Sequence, residues 1–507
     1  MSNYTVFHCH SMLSNGVTNI DSVTRYQDYI KRAAELGMTS LGFSEHGNLF
    51  AWYPKKVDIE VAGLKYIHAE EFYVTKTLSE RIRDNMHCIL IAKNLDGVYE
   101  LNRLASASFN RHEENRFFYY PRITMDELMN TSDNVIMTTA CLGGVLNKCD
   151  AEDRIRLLSF MSKHSDRTFL EVQHHNVPDQ IVYNDMLYKL SQNYQIRLIA
   201  GTDTHYLNKD QERGRQILQK AKDISFGEED GFDLSFKTYE ELCECYRQQG
   251  ALPTDVYLEA IENTNVMASM IEPFVLDKST KYPHIYDNPE LEFKRRINDG
   301  YKKNPYVKER YSKEAVVARI QEEFEVYKKV GAIDFMLLES YIRDWERKEG
   351  IESGYGRGSV SGSMIAYLLG ITNMDSMKFN LNFFRFLNPS RITNSDIDSD
   401  YCGTDRDRIK YFLLHDKLNL DNIQTSEIIT FNTIATKGAV RDVCRALYKD
   451  DQSGIDYLEL SDQINAVIDA DEEKARQKYP QVFEYVDLIN GTVVSIGSHP
   501  SGVLVSD

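Results

Sequence analysis

The sequence lacks an apolar run long enough for a transmembrane helix, and residues 1–16 lack the pattern of a signal peptide. Its eight cysteines are dispersed and include no CxxC pair. Internal repeats and low-complexity segments are also missing. These absences argue against membrane, disulfide-stabilised and repeat proteins, and they favour a globular protein of the reducing cytoplasm.

Basic residues are scarcer than acidic ones, 59 against 77, which gives a net charge of −18. This balance argues against a protein that coats DNA. It does not exclude a polymerase, because DNA binding depends on where the basic residues lie and a polymerase centre itself needs carboxylates. A chain of 507 residues, 42% hydrophobic and 27% charged, is expected to form about two to four domains.

The first 210 residues alternate short apolar strands with amphipathic helices, which is typical of an α/β barrel. A helix is predicted from Ser22 to just before Gly37. The predicted strands are 5–7, 40–43, 89–92, 135–139, 169–173 and 196–200. Because the carboxyl ends of parallel barrel strands share one rim, polar residues that follow these strands are expected to converge there.

Two compact pairs, His8 with His10 and Asp203 with His205, lie directly after the first and the last of these strands. Further polar residues at strand boundaries are His46, Glu71, His87, Cys141, His174 and His175. Imidazole, carboxylate and thiolate groups together suit Zn²⁺, Mn²⁺ or Fe²⁺ better than Mg²⁺. A single histidine is more often a surface or core residue than a ligand, but the repeated placement favours a metal site.

Residues 1–270 resemble the polymerase and histidinol phosphatase (PHP) domain, a distorted (β/α)₇ barrel with a trinuclear metal rim. The resemblance implies ligands at His8, His10, His46, Glu71, His87, Cys141, Asp203 and His205. The family's ninth ligand is an aspartate shortly after H-x-H, where this sequence has Asn15. Either the ligand has become an amide or Asp21 supplies it, although Asp21 also stands where a helix N-cap belongs. Glu45 replaces the usual aspartate before His46.

The activity that this resemblance implies is hydrolysis of phosphodiesters with bound metal ions. In replicative polymerases the PHP domain can act as a 3′→5′ proofreading exonuclease, whereas in some relatives its rim is degenerate and only structural. The nearly complete ligand set favours an active centre.

The glycine-serine turn GYGRGSVSGS, residues 354–363, is followed by DIDSD. Glycines let the backbone approach an anion, a helix N-terminus adds partial positive charge, and Arg357 can neutralise phosphate. Asp396, Asp398 and Asp400 stand at alternate positions, so in an extended strand their carboxylates point the same way. A phosphate cradle beside acids that can hold Mg²⁺ predicts metal-assisted phosphoryl or nucleotidyl transfer. Taken alone, the turn is more often a linker, and DIDSD could be a solvated acidic turn or a Ca²⁺ loop.

The longer segment FFRFLNPSRITNSDIDSDYC is similar to the catalytic motif of the bacterial replicative DNA polymerase III alpha subunit family, the C family, whose palm is of the polymerase beta type. This resemblance implies that Asp398 and Asp400 hold two Mg²⁺ ions, supported by Asp396, for addition of dNTPs to a primer 3′-OH. The implied triphosphate site comprises Arg357, Gly358, Ser359, Gly362 and Ser363. Ser395 replaces the family's proline, but all three aspartates remain.

A third element, TFNTIATKGAVRDVCRALYK, places Lys437, Arg441 and Arg445 four positions apart. On a helix they form one basic face, suited to DNA phosphates, although such a stripe is usually only a solvated face. The segment resembles the start of the thumb in the same family, in which the lysine lies near the incoming nucleotide. We therefore expect Lys437 at the dNTP, and Arg441 and Arg445 at DNA.

Together the resemblances predict an α/β protein in four parts. These are a PHP domain at 1–270, the first part of an α+β palm at 271–428, a helical thumb at 429–488 and the start of a second palm segment at 489–507. The family's third catalytic aspartate, fingers, clamp-binding and OB regions have no counterpart before residue 507. We expect either a fragment of a longer polymerase or half of a split enzyme.

The expected partners are primer–template DNA, dNTPs, the carboxyl-terminal remainder of the polymerase and a sliding clamp, with no membrane. The expected cofactors are Mg²⁺ at the palm and Zn²⁺ or Mn²⁺, or Fe²⁺, at the PHP domain. Two alternatives differ in class. One is a metal-dependent phosphoesterase whose palm is inactive in transfer, and the other is a non-catalytic scaffold for polymerase subunits.

Overall fold

The computed structural model of the chain describes residues 3–225, 231–279, 281–390, 396–421, 423–450 and 454–507. The chain divides into two compact units. The first comprises Met1–Leu276 and Phe431–Gly497, and the second comprises Asp277–Thr430 and Ser498–Asp507. The four-part domain organisation expected from the sequence stays a prediction.

A curled sheet forms the centre of the first unit. Its strands are β1 (Ser40–Phe43), β2 (Lys65–Thr75), β3 (Met86–Ala92), β4 (Phe117–Phe118), β5 (Tyr120–Thr124), β6 (Val135–Thr138), β7 (Thr168–Gln173) and β8 (Arg197–Gly201). They pair in the order β4-β5-β2-β3-β6-β7-β8, with β1 also beside β2. The predicted strands from residue 40 onward are confirmed to within about two residues at most ends, except that β3 begins earlier.

The amino-terminal segment closes this sheet. Val6 forms a parallel bridge with Leu41 of β1, and Cys9 forms one with Thr204, just after β8. The strand predicted at 5–7 is therefore reduced to single bridges. Because β3 runs antiparallel to both β2 and β6, whereas β1 with β2, β6 with β7 and β7 with β8 are parallel, the predicted distorted barrel is confirmed.

Helices cover the outside of the barrel. They are α1 (Tyr26–Glu35), α2 (Trp52–Val61), α3 (Leu95–Ser108), α4 (Met125–Met129), α5 (Val145–Lys148), α6 (Ala151–Lys163), α7 (Pro178–Tyr194), α8 (Lys209–Ala221), α9 (Tyr239–Gln249) and α10 (Thr254–Ser269). Apolar side chains of alternate strand positions pack either against these helices or inside the barrel, as the two-residue period of a strand requires. The interior is therefore a packed core, and polar groups are concentrated at its rim.

The second unit is mainly helical. Its helices are α11 (Pro289–Lys303), α12 (Pro305–Arg310), α13 (Lys313–Lys329), α14 (Ile333–Lys348), α15 (Met364–Leu368) and α16 (Gly403–Leu414). Helices α13 and α14 confirm the two predicted runs, and each is followed by a glycine with positive φ, Gly331 and Gly350. Phe293, Tyr327 and Met364 lie in its core.

The last part of the chain adds β9 (Gln424–Thr433), α17 (Thr436–Tyr448), α18 (Tyr457–Ala470), α19 (Glu472–Lys478), α20 (Pro480–Ile489) and β10 (Val493–Ser506). Strands β9 and β10 pair with each other. Helices α17 and α20 pack on α8 of the first unit, with Leu218, Val440 and Val486 in a shared core. The predicted helical content of this region is confirmed, but its role as a thumb stays a prediction. Within the described residues, no helix is both long and apolar enough to cross a membrane.

Candidate metal centre and acidic site

The structure brings the predicted metal ligands together at one rim of the barrel. Potential ligand atoms lie within 4.8 Å of one another in three groups, which are His10, Asp21, His46 and His205; His8, His10 and Asp203; and His46, Glu71 and His87. The Sγ atom of Cys141 lies 3.5 Å from Nδ1 of His87. Two histidines belong to two groups each, so the rim is one continuous cluster.

The position of His87 depends on the reversed strand. His87 stands near the start of its strand, β3. The other ligands either follow the end of a strand or, like Glu71, lie beyond the end of the neighbouring strand. Because β3 is antiparallel to β2 and β6, its start lies at the rim where parallel strands end. Glu71 lies in β2 beyond the end of β1, where His46 bridges to it.

Two carboxylates each lie between imidazoles. Oδ1 of Asp203 is 3.1 Å from Nε2 of His8 and 3.3 Å from Nε2 of His10. The two oxygens of Glu71 lie 2.9 Å from Nδ1 of His46 and 3.1 Å from Nδ1 of His87. Carboxylates in this position would hold cations together with the neighbouring imidazoles.

The geometry favours Asp21 over Asn15 as the remaining ligand. Oδ1 of Asp21 lies 3.0 Å from Nε2 of His205. The side chain of Asn15 accepts hydrogen bonds from the backbone N–H groups of Asp21 and Ser22 and donates to two carbonyl oxygens. The N-cap interpretation of Asp21 is wrong, because α1 begins at Tyr26 and Arg25 holds its N-cap position.

The donor set fits divalent cations. Six buried side-chain atoms at the rim form no hydrogen bond with described residues: His8 Nε2, His10 Nε2, Asp21 Oδ2, His46 Nδ1, Glu71 Oε2 and His205 Nε2. Buried polar atoms that form no hydrogen bond are uncommon in native proteins, and these six face oppositely charged atoms of the same rim at 2.9–3.8 Å. Their convergence, together with a thiol, matches the nitrogen, oxygen and sulfur ligands of Zn²⁺, Mn²⁺ or Fe²⁺.

In the second unit, the glycine-serine turn lies beside the aspartates. The N–H of Gly354 donates to the carbonyl oxygen of Asp400 at 2.9 Å. Nη1 of Arg357 lies 2.9 Å from Oδ1 of Asp400, and Nε lies 4.0 Å from Oδ2 of Asp398. These three side chains are each more than half exposed. The structure thus joins the two predicted motifs at one surface, where Arg357 neutralises the acids.

The strand predicted for DIDSD is wrong, because residues 396–400 pair with no neighbouring strand among the described residues. Its alternation is nevertheless present. Asp396, Asp398 and Asp400 are exposed, whereas Ile397 and Ser399 are partly buried, and Ile397 packs against the core of the unit. Ser395 lies outside the described residues.

The serines and glycines of the predicted triphosphate site differ in whether other residues already contact them. Gly358 has a φ of 72° and lies against Asp398, where a Cβ atom would be 3.3 Å from Oδ2. Ser359 and Gly362 delimit a short 3₁₀ turn. Ser363 is buried, since its hydroxyl donates to Glu323 at 2.7 Å and accepts from the N–H of Ala366. The Ser363 hydroxyl is therefore engaged in capping α15 in this conformation.

The predicted basic face is on helix α17, but its members are paired with acids of the first unit. Arg441 lies 2.9 Å from Asp462, and Arg445 lies 2.5 Å from Asp223. Lys437 forms an ion pair with Asp469. Exposed ion pairs of this kind contribute little to stability, so they could be exchanged for contacts with phosphates. The expected contacts of Lys437 with dNTP and of Arg441 and Arg445 with DNA stay predictions.

Comparison with known proteins agrees with both motifs. Residues 7–175 match the family described as PHP domain, and residues 291–507 match the family described as bacterial DNA polymerase III alpha NTPase domain. DNA polymerase III subunit alpha of Aquifex aeolicus is 31% identical over 87% of this chain and 39% of that protein. The Borreliella burgdorferi protein of the same name is 28% identical over 100% of this chain and 45% of that protein. The chain is related to bacterial DNA polymerase III subunit alpha.

The chain spans less than half the length of these curated relatives. A solved structure described as a proposed metal-dependent phosphoesterase from Bifidobacterium adolescentis is 13% identical, with a TM-score of 0.28, over 40% of this chain and 88% of that one. This likeness is too distant to carry an argument. The PHP match ends at residue 175, before Asp203 and His205, which the structure adds to the same rim.

Charge in the PHP rim is balanced between carboxylates and imidazoles. Although burial opposes protonation, Glu71 and Asp21 raise the pKa of His46 to about 9. Burial and the neighbouring His46 lower the pKa of His10 to about 4. Despite its burial, the carboxyl of Asp203 has a pKa well below its usual range because His8 and His10 face it. Cations bound here would take over the neutralising role of the imidazole protons.

The sequence interpretation missed Glu171, which lies behind His8. Its Oε1 contacts Nδ1 of His8, and its Oε2 accepts from the hydroxyl of Thr138 at 2.6 Å. A carboxylate in this position fixes the tautomer and the orientation of the imidazole, so that Nε2 faces the rim. A Cβ atom on Gly201 would lie 1.9 Å from Oε1, so only glycine leaves room for this arrangement. The sequence signal is a glutamate flanked by the apolar residues Leu170 and Val172 of strand β7.

A cavity of about 370 Å³ opens at the PHP rim. Its lining includes His46, His87 and Cys141, and also Tyr73, Asn85 and Tyr120. His174 and His175, which follow β7, belong to none of the three ligand groups. The ring of His175 stacks on Phe232 at 4.4 Å, and burial lowers its pKa to about 4. The cavity thus combines ligand-type side chains with aromatic walls.

Proposed function

We propose that the chain is the amino-terminal part of a replicative DNA polymerase and that its PHP rim is a metal-dependent phosphodiesterase centre acting as a 3′→5′ exonuclease. The observation that carries the hydrolytic assignment is the convergence of nine ligand-type side chains, six of whose buried atoms lack hydrogen bonds within the described chain. The polymerase assignment is supported by the two family matches and by the relatives named above.

The residues of the rim have distinct expected roles. Asp203 lies within 3.7 Å of three imidazoles and Glu71 of four, and both carboxylates would hold the ions. When bound, divalent cations supply activation of water and neutralisation of charge on the leaving oxygen. Glu171 holds the imidazole of His8, and the cavity beside the rim is where we expect the phosphoryl group to enter.

The decisive variant is His10→Ala, because His10 belongs to two of the three ligand groups. We expect its release of nucleotides from a labelled 3′ end to vanish and its content of bound metal to fall, with the fold retained in circular dichroism. His284→Ala is the matched control, since His284 is exposed and pairs with Asp334 in the second unit. Hydrolysis that persists in well-folded His10→Ala protein at undiminished rate would refute the assignment.

We further propose that the second unit contributes Asp398 and Asp400, with Asp396 in support, to nucleotidyl transfer with Mg²⁺. The contact between Arg357 and Asp400 supports this proposal, because it places a phosphate-binding cation beside candidate metal ligands. The phosphoesterase with an inactive palm and the non-catalytic scaffold remain the alternatives. Primer–template DNA, dNTPs, the remainder of the polymerase and the sliding clamp remain predicted partners.

A further inference from the structure

A band of aromatic rings and arginines lies beside the PHP cavity. We call it the aromatic–arginine strip and define it as Arg81, Arg83, Arg111, Phe117, Phe118 and Tyr119. Each arginine covers one ring. The guanidinium carbon of Arg111 lies 4.0 Å from the ring centre of Phe117, that of Arg81 lies 4.5 Å from Phe118, and that of Arg83 lies 4.4 Å from Tyr119.

The three guanidinium groups are available to an anion. All three residues are exposed, and within the part of the chain that the structure describes none of them forms an ion pair. Nearby carboxylates have other partners, since Asp84 accepts from Thr75 and Glu113 pairs with Arg116. Glu80 and Glu114 belong to the same two loops and are also exposed, but neither pairs with these arginines.

Tyr119 is held outward by a tight reversal between β4 and β5, whereas Phe117 and Phe118 are partly buried. Phe118 pairs with Tyr120 across this reversal, and Tyr119 between them has a φ of 64° and is 59% exposed. A bulky residue with positive φ is uncommon. The hairpin therefore displays an aromatic side chain to solvent at some conformational cost.

The strip is continuous with the cavity. The ring of Tyr120 stacks on that of Tyr73 at 4.4 Å, and both residues line the cavity. The Tyr73 ring lies 5.2 Å from that of His87 and 6.0 Å from that of His46. Aromatic surface thus runs from the candidate ligands to the exposed hairpin.

Further rings follow from Phe117. Phe117 lies 6.0 Å from Phe109, Phe109 lies 6.1 Å from Phe50, and Phe50 lies 5.6 Å from Phe431. Aromatic rings beside exposed arginines form the kind of surface on which the bases and phosphates of a single strand can be bound.

We propose that the aromatic–arginine strip binds single-stranded DNA and leads its 3′ end into the PHP cavity. The arginines contact phosphates, and the exposed ring of Tyr119 stacks on a base of any sequence. The cavity of about 370 Å³ with its buried ligands is where we expect the end of the unpaired strand to enter. The inference rests on the proposed exonuclease function and specifies single-stranded DNA as its substrate.

The test measures binding separately from hydrolysis. The full chain is titrated in EDTA against a fluorescent oligo(dT), and anisotropy is read at several salt concentrations. We expect the combined variant Arg81→Gln, Arg83→Gln and Arg111→Gln to bind about tenfold or more weakly. Because each phosphate contact to a single strand contributes about 0.7 to the salt dependence, loss of three contacts should lower the slope of log K against log salt by about 2.

A matched control replaces three ion-paired arginines of the same unit, the exposed Arg156 and Arg247 and the partly exposed Arg32, as Arg32→Gln, Arg156→Gln and Arg247→Gln. This control should bind as the parent chain does, with an unchanged salt slope. Tyr119→Ser tests the ring alone, and a photoreactive 5-iodouracil near the 3′ end of the oligonucleotide should cross-link to the peptide that contains residues 117–119.

The outcomes separate this inference from the proposed exonuclease. Loss of binding and of the cross-link supports the strip even if the chain has no nuclease activity. An active nuclease whose KM for single strands is unchanged in the triple-arginine variant would overturn the strip. A competition experiment gives a second way to overturn the assignment. If polyglutamate displaces the oligonucleotide from the parent chain as effectively as unlabelled oligo(dT) does, the strip is a site for acidic peptides.

Discussion

Among single residues, Glu171 offers the most specific prediction at the PHP rim. It is fully buried, and its carboxylate lies between His8 and Thr138. Glu171→Gln keeps the shape of the side chain but removes the charge that orients and polarises the imidazole. We expect the affinity for Zn²⁺ or Mn²⁺ to fall about 10- to 100-fold, the usual effect of losing such a partner. Competition with a chromophoric chelator measures this affinity directly.

The matched control is Glu244→Gln, which removes an exposed carboxylate of α9 in the same unit. The visible spectrum of Co²⁺-loaded protein should change in Glu171→Gln and remain as in the parent chain in Glu244→Gln. A Glu171→Gln protein with parental metal affinity and parental spectrum would show that this carboxylate only fills space in the barrel.

The contrast between Glu171 and the ligands shows what the sequence can reveal about this site. His8 with His10 and Asp203 with His205 are recognisable because ligand-type residues recur at strand ends. Glu171 has no such mark, since its role depends on a contact with a residue 163 positions away. The choice between Asn15 and Asp21 likewise needed the fold, because it is the hydrogen bonds of Asn15 and the later start of α1 that distinguish them.

At the level of elements, Glu323 on α13 fixes the glycine-serine turn to the core. Its carboxylate accepts from the hydroxyl of Ser363 at 2.7 Å and from the N–H groups of Met364 and Ile365 at 2.8 and 3.0 Å. Arg319 adds an ion pair at 2.7 Å. The start of α15 therefore depends on one side chain from another helix.

Glu323→Ala should leave these buried donors without partners, and we expect the free energy of unfolding of the second unit to fall by about 2–3 kcal/mol. Hydrogen exchange of the amides in α15 should accelerate first, because they lose their acceptor. Glu325→Ala, an exposed change on the same helix, serves as the control and should have little effect. Equal protection of α15 in both variants would contradict a role for Glu323 in fixing the turn.

Strand and helix existence followed well from sequence periodicity, as β1, β7, α13 and α14 show. Strand direction did not. Nothing in the apolar run of β3 reveals that it is antiparallel to its neighbours, yet this reversal places His87 at the rim. DIDSD has the alternation of a strand but no neighbouring strand to pair with among the described residues, so the pattern indicated which side chains are exposed and not how the backbone pairs.

For the whole molecule, two chemically different sites lie in two separate units. The PHP rim has nitrogen, oxygen and sulfur donors that are largely buried, whereas the candidate transfer site has exposed carboxylates and an arginine. Donors of the first kind suit Zn²⁺ or Mn²⁺, and those of the second suit Mg²⁺. Because no side chain is common to the two sets, each activity should be removable without the other.

This separation is testable in the chain completed by the remainder of the proposed polymerase, whether that remainder is in the same or a second polypeptide. The double variant Asp398→Ala and Asp400→Ala should lose primer extension, because the candidate Mg²⁺ ligands are gone, while release of nucleotides from a single-stranded 3′ end persists. His10→Ala should show the reverse. Gel assays of extension and of degradation on one labelled primer measure both activities.

Asp407→Ala is the control for the aspartate pair, since it removes an exposed carboxylate of α16 nearby in the sequence, and it should retain both activities. Extension at the parental rate by the double aspartate variant would exclude the second unit as the transfer site. Loss of both activities in a well-folded double variant would mean that the exonuclease also depends on Asp398 and Asp400. That result would contradict the assignment of the two activities to separate ligand sets.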